Sequence, residues 1–143
     1  MGRIRSESGY EQVGTEADVR VRAWGPTLAA AFGQAATGVF ARIVDPAEVE
    51  ARDSREVRAQ GASVEALLAT WINECLYVHE IEGFVVRHVE VDTCDGGLVH
   101  GTLHGEELDR DRHRLVIVKA ATLNGVNVAR GEATWTVQVN LDT

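Results

Sequence analysis

At Gly83 the hydrophobic period of this chain changes. Before it, Val64, Leu67, Leu68, Trp71, Ile72, Cys75, Leu76 and His79 recur at three- and four-residue spacing, which predicts an amphipathic helix. After it, "FVVRHVEV" and "LVHGTLH" flank "DTCDGG", a hairpin signal. Strands dominate from there on, so the chain cannot be an all-helical bundle, and it lacks the strand–helix alternation of a parallel sheet.

The same reasoning covers the rest of the chain. "YEQV" and "DVRVRAW" read as two short strands, with Val19, Val21 and Ala23 on one side of the second and Arg20, Arg22 and Trp24 on the other. Thr27 is placed to cap a first helix carrying Leu28, Phe32, Ala35, Val39, Phe40 and Ile43, which Asp45-Pro46 ends. Gly33 and Gly38 each cost that helix about 1 kcal/mol relative to Ala, a loss that close packing on a sheet would offset. "SREVRAQG" reads as a strand, Ser63 as the cap of the second helix and Gly83 as its stop. "EELDRDRHR" is a charged connection, and "LVIVKAAT" is apolar enough to predict a central strand. "VNVA" and "TWTVQVNLD", joined through "RGE", form a last hairpin. The expectation is α+β: a frayed tail over 1–9, then one domain over 10–143. In it, two helices pack on one face of a mostly antiparallel sheet, a two-layer sandwich.

Composition narrows the function. The 143 residues suit one core, and a net charge of -8 argues against direct nucleic-acid binding, which needs a basic face. A local basic strip is conceivable around Arg110, Arg112, His113 and Arg114. The start of the chain has no signal-peptide core, and no apolar run nears the ~20 residues of a membrane helix, so a cytoplasmic location is expected and no membrane partner. The two cysteines form no CxxC and read as a buried thiol, Cys75, and an incidental one, Cys94. Thirteen arginines accompany a single lysine, Lys119, where a compact point charge on a flexible stem replaces a planar fork.

Phosphate loops, GxGxxG turns and GxSxG elbows are all missing. A thiol nucleophile at Cys75 is disfavoured by its apolar neighbours. His100 and His104 lie about 13 Å apart along one strand face, too far to share an ion, although His88 on the neighbouring strand could join one of them. Asp18 opens a strand with Glu16 two residues earlier, and Asp142 closes the last strand just before the terminal carboxylate of Thr143. If the two aspartates meet, a hard divalent cation would relieve their repulsion. Otherwise Asp18 merely starts a strand and Asp142 is a solvated chain end.

In order along nearly the whole chain, these pieces resemble the archease family. "YEQVGTEADVRVRAWG" is similar to the family's Tyr-Glu strand, His-Thr-Ala-Asp turn and aromatic-Gly strand end. "TLAAAF", "EGF", "LHGEELDRDRH", "VKAATLN" and "VNLDT" resemble its later segments, and Lys119 falls on the family's Lys position. The resemblance implies an accessory protein, not itself an enzyme, of the GTP-dependent RNA ligase of tRNA splicing, tRNA processing and RNA repair. It would help that ligase accept guanylate and turn over repeatedly. It also implies a metal site for calcium, or for magnesium or manganese, at Asp18, Asp142 and Thr143, with Lys119, Glu106 and Glu16 on the functional face. Thr15 and Asn124 stand where the family has histidines, which removes two candidate proton carriers. A binding or chaperone-like module of the same fold serving another partner is the alternative, and a small hydrolase using Asp18 and Asp142 is a third.

Overall fold

The computed structural model describes residues 7–15, 17–95 and 97–143, with the side chains at 123 and 124 outside the description. Glu16, the Asn124 side chain and most of the expected tail over 1–9 therefore lie outside the described residues. Seven strands and two long helices follow one another as β1 (Gly9–Thr15), β2 (Asp18–Gly25), α1 (Leu28–Ile43), β3 (Asp53–Gln60), α2 (Val64–Glu82), β4 (Phe84–Cys94), β5 (Leu98–Glu107), β6 (Ala120–Arg130) and β7 (Trp135–Asp142). A single 3-10 turn, Pro46–Glu48, links α1 to β3. All strand pairs are antiparallel, as α+β packing requires, and they form two sheets: β1-β2-β7-β6 and β3-β5-β4.

Local chemistry sets the helix ends. The Thr27 hydroxyl accepts from the Ala30 N–H at 3.0 Å, and the Ser63 hydroxyl accepts from the Ala66 N–H at 3.1 Å. Gly83 stops α2 in the left-handed conformation at φ 62°.

The helix α1 packs against β2 of one sheet and β4 of the other, and buries nine residues including Phe32, Val39, Phe40 and Ile43. Its two glycines serve different sheets. A Cβ at Gly33 would lie 3.3 Å from the Val89 carbonyl oxygen of β4, and one at Gly38 would lie 2.7 Å from Val21 and 2.9 Å from the Tyr10 ring. The Thr37 hydroxyl donates to the Gly33 carbonyl at 2.8 Å and accepts the Val89 N–H at 3.0 Å, which ties α1 to an edge strand. The helix α2 packs on β6 and β3, and its Trp71 indole donates to the Phe32 carbonyl of α1 at 3.1 Å. His79 Nδ1 lies 2.7 Å from the Phe84 carbonyl oxygen and joins the end of α2 to β4.

One strand expectation needs correction. Leu115–Thr122 is not a central strand. Residues 115–119 form no ladder, β6 begins only at Ala120, and β6 runs on to Arg130 through a register shift between Thr122 and Asn127. It is also an edge strand, and the run before it lies beside the end of α2 with Val116 and Ile117 46% and 74% exposed. Trp24, on the face of Arg20 and Arg22, is buried, its ring lying against Gly9, where a Cβ would come within 2.8 Å.

Of the expected basic strip, Arg112 and His113 turn to Glu106 and form one network with it, while Arg110 and Arg114 stay exposed. Glu106 is 6% exposed. Its Oε2 accepts the Glu50 N–H at 2.8 Å, Arg112 Nη2 at 3.0 Å and His113 Nε2 at 3.1 Å. His113 Nδ1 accepts the Asp109 N–H at 2.9 Å, so the neutral ring carries its proton on Nε2 and donates it to Glu106. Glu106 thus anchors the 109–113 loop and the Glu50 segment to β5, in the sheet that does not contain Asp18 and Asp142. Burial pushes its carboxyl up, but the hydrogen bonds from Arg112, the Glu50 N–H and His113, with the Arg112 charge, outweigh burial and hold it at about 2 against an ordinary 4.5.

Two outcomes follow from this packing. Gly38→Ala loses about 1–2 kcal/mol net, because forced shifts of Val21 and Tyr10 exceed the helix-propensity gain, whereas Gly33→Ala stays within about 1 kcal/mol of the parent in urea unfolding. Equal stability of the two variants would contradict the packing. Glu106→Gln costs about 1–3 kcal/mol at pH 7. A depressed folded pKa stabilises above the unfolded value, so the parent loses this contribution as pH falls from 4.5 through about 2. The Gln variant does not, which urea unfolding across that window checks.

Candidate functional site

Strand alternation aims the candidate residues. Val19 and Val21 are buried in β2, which puts Asp18 and Arg20 on its other face. Val139 and Leu141 are buried in β7, which puts Asn140 and Asp142 on the same outer face. Register then brings the aspartates level. Val19 pairs with Leu141 and Arg20 with Asn140, so one further step along the ladder places Asp18 beside Asp142.

The Lys119 backbone meets the same corner from the other side, while the residue also lines a groove with Leu76, His79 and Glu80 of α2. Ala120 pairs with Asp142, and the Lys119 N–H donates to the Asp142 carbonyl at 2.8 Å. The order β2-β7-β6 thus lines up Asp18, Asp142 and Lys119 across one end of the four-stranded sheet. Thr143 follows Asp142 directly and is exposed.

A residue with no sequence signature holds this edge. The Asn73 amide of α2 donates to the Ala121 carbonyl at 3.0 Å and accepts the Ala121 N–H at 2.7 Å, as a neighbouring strand would. The edge of β6 next to Lys119 is therefore fixed by a helix side chain. The one hint in the sequence is an amide following Ile72 within the α2 stripe, which says nothing of its partner.

The corner is rich in hard oxygen donors. The Asp18 carboxylate is 63% exposed and lies 3.7 Å from Arg20 Nε. The Asn140 amide oxygen, on the same face, is buried without a hydrogen-bond partner. Gly14, at φ 93°, lets β1 fold tightly onto this turn, since a Cβ there would come within 2.0 Å of the Asp18 carbonyl oxygen. A groove of about 150 Å³ between Gln12, Thr15, Val19 and Arg42 opens beside it. Two carboxylates and an unpartnered amide oxygen fit a hard divalent cation, with no sulfur or imidazole among them. Glu106 is absent from this set because it belongs to the other sheet.

The thiols offer no alternative chemistry. Burial, with Glu74 nearby, raises the Cys75 thiol well above its ordinary value. Burial, with Asp95 nearby, holds Cys94 at about 11. Both are free cysteines, and Cys94 is half-buried. No helix of the described residues is long and apolar enough to cross a membrane.

Known proteins share this fold. The chain is 31% identical over 137 residues to protein archease of Methanopyrus kandleri, spanning 93% of this chain and 98% of the relative. It is 33% identical over 135 residues to protein archease of Pyrococcus abyssi, spanning 91% and 95%. The solution structure of Methanobacterium thermoautotrophicum protein 1598 superposes with a TM-score of 0.77 at 30% identity, covering 94% of this chain and 99% of that one. A description of the Archease protein family matches residues 10–143. With its fold and nearly its full length shared with these relatives, the chain belongs to the archease protein family.

Proposed function

We propose that this protein is a non-catalytic accessory protein of a GTP-dependent RNA ligase, promoting guanylylation and repeated turnover of that enzyme in tRNA splicing and RNA repair. The observation that carries the reading is the backbone adjacency of Asp18, Asp142 and Lys119 at one end of the four-stranded sheet of an archease fold. Among the described residues that corner shows no nucleophile–base pair, which favours assistance over chemistry of its own.

Asp18 and Asp142 would hold a divalent cation, Ca²⁺ first and Mg²⁺ or Mn²⁺ by the same oxygen chemistry, with an oxygen of Thr143 and the Asn140 amide oxygen available to complete the shell. A bound cation supplies charge neutralisation for phosphate oxygens. Lys119 adds a mobile point charge suited to a phosphate on the partner. The β2–β7–β6 ladder keeps these groups in register while the ligase nucleotide site approaches. Thr15 in place of the family's histidine takes no part in proton transfer, so the corner works through charge and position. The contact is protein to protein, in keeping with the net charge of -8, and the setting is the cytoplasm.

The deciding experiment is RNA ligation by the ligase of the same organism under multiple-turnover conditions. The intact chain stimulates turnover, and Asp142→Asn lowers the stimulation by about tenfold or more while the fold, judged by circular dichroism, stays intact. Absence of stimulation by the intact chain would refute the reading and favour a binding module for another partner. In parallel, Ca²⁺ raises the thermal midpoint of the intact chain and leaves that of Asp142→Asn unmoved, as binding linkage requires.

A further inference from the structure

The outer face of the three-stranded sheet holds a second, chemically different cluster. Val99, Gly101 and Leu103 are buried in β5, so His100 and His104 point outward. In β4, Val89 is buried, so His88 and Glu90 point outward as well. The ladder pairs His88 directly with His104. Their rings stack with centroids 4.6 Å apart and planes 13° from parallel.

Glu90 completes a triangle. Its Oε1 lies 3.4 Å from His88 Nε2 and 3.3 Å from His104 Nε2. One donor atom from each of the three residues lies within 4.8 Å of the other two. In a tetrahedral zinc site, ligands about 2.0–2.1 Å from the metal stand about 3.3–3.4 Å from one another. Both nitrogen–oxygen separations already match that edge.

We propose that His88, Glu90 and His104 form a binding site for a zinc-class divalent transition metal, with the fourth position held by water. Two imidazole nitrogens face a single carboxylate oxygen, and one cation between them satisfies all three donors. Nitrogen ligands select zinc-type ions over the calcium and magnesium suited to the oxygen-only corner. The site is reachable from solvent, with His88 and His104 side chains 42% and 30% exposed. The β4–β5 ladder fixes the two histidine backbones opposite each other, and binding turns the stacked rings so that both nitrogen lone pairs meet at one ion. His100 on the same face is a separate unit: its Nδ1 lies 2.7 Å from Asp92 and its Nε2 3.1 Å from Glu56.

The test is competition for zinc chloride between the intact chain and a chromogenic chelator. One zinc binds per chain, and the affinity falls by about tenfold or more in His88→Gln and in His104→Gln. His100→Gln and Asp142→Asn bind as the parent does, and excess Ca²⁺ does not displace the zinc. Because the variant positions lie on outer sheet faces rather than in the core, circular dichroism should remain that of the parent. Unchanged zinc affinity in both His88→Gln and His104→Gln would overturn the proposal. So would an equal loss in His100→Gln or Asp142→Asn, which would place the ion elsewhere.

Discussion

Everything in this fold is arranged around a helix that must be covered on two sides. α1 satisfies its own backbone hydrogen bonds, which allows it to sit against both sheets without stranding polar groups. Its sequence is built for that position: alanines and glycines where strands approach, Phe32 and Phe40 where space remains. Thr37 carries the only hydroxyl in its length and spends it on both the helix and β4. Burying one such phenylalanine contributes about 1.5–3 kcal/mol, so the helix holds the sheets together through area rather than through any single bond.

That arrangement explains why the polar chemistry lies at the periphery. The inner faces are committed to α1 and α2, which leaves the outer faces and sheet ends for charged groups. The two ends of the molecule then diverge in chemistry. One sheet ends in aspartates beside Lys119 and an unpartnered amide oxygen; the other presents stacked imidazoles and one carboxylate. Asn73 connects core to corner, because it reaches from a helix that packs inward to the strand edge that carries Lys119. Its substitution would loosen that edge without touching any charge.

Much of this was legible in the sequence wherever the cause is local. Thr27, Ser63 and Gly83 announce helix ends through hydrogen bonds within three residues or through backbone preference. Strand alternation fixed the inward and outward residues of β2 and β7, with Trp24 as the exception because a distant Gly9 covers it. What was illegible depends on partners remote in the chain. The run 115–119 is apolar enough for a strand but forms no ladder, its Val116 N–H bonding instead to the Ile43 carbonyl at the end of α1. Glu106 reads as a surface carboxylate until Arg112, His113 and the Glu50 N–H fold over it. The proximity of Asp18 and Asp142 came from family resemblance, not from spacing, and the β2–β7 register supplies its geometry. The division of the strands into two sheets likewise has no local mark.

The two polar clusters also differ in when they can come into being. Arg22 and Gln138, hydrogen-bonded at 3.2 Å across β2 and β7, are 116 residues apart in the chain. His100 and Asp92, hydrogen-bonded at 2.7 Å across the β4–β5 hairpin, are eight apart. Closing the longer loop costs more entropy, by a term growing with the logarithm of its length, and contacts so distant in sequence form slowly. The histidine face can therefore assemble with its hairpin early in folding. The aspartate corner exists only once β7 has inserted between β2 and β6. A cation or partner gripping that corner would act as a latch on the last-closed ladder and slow the chain's escape from its native state.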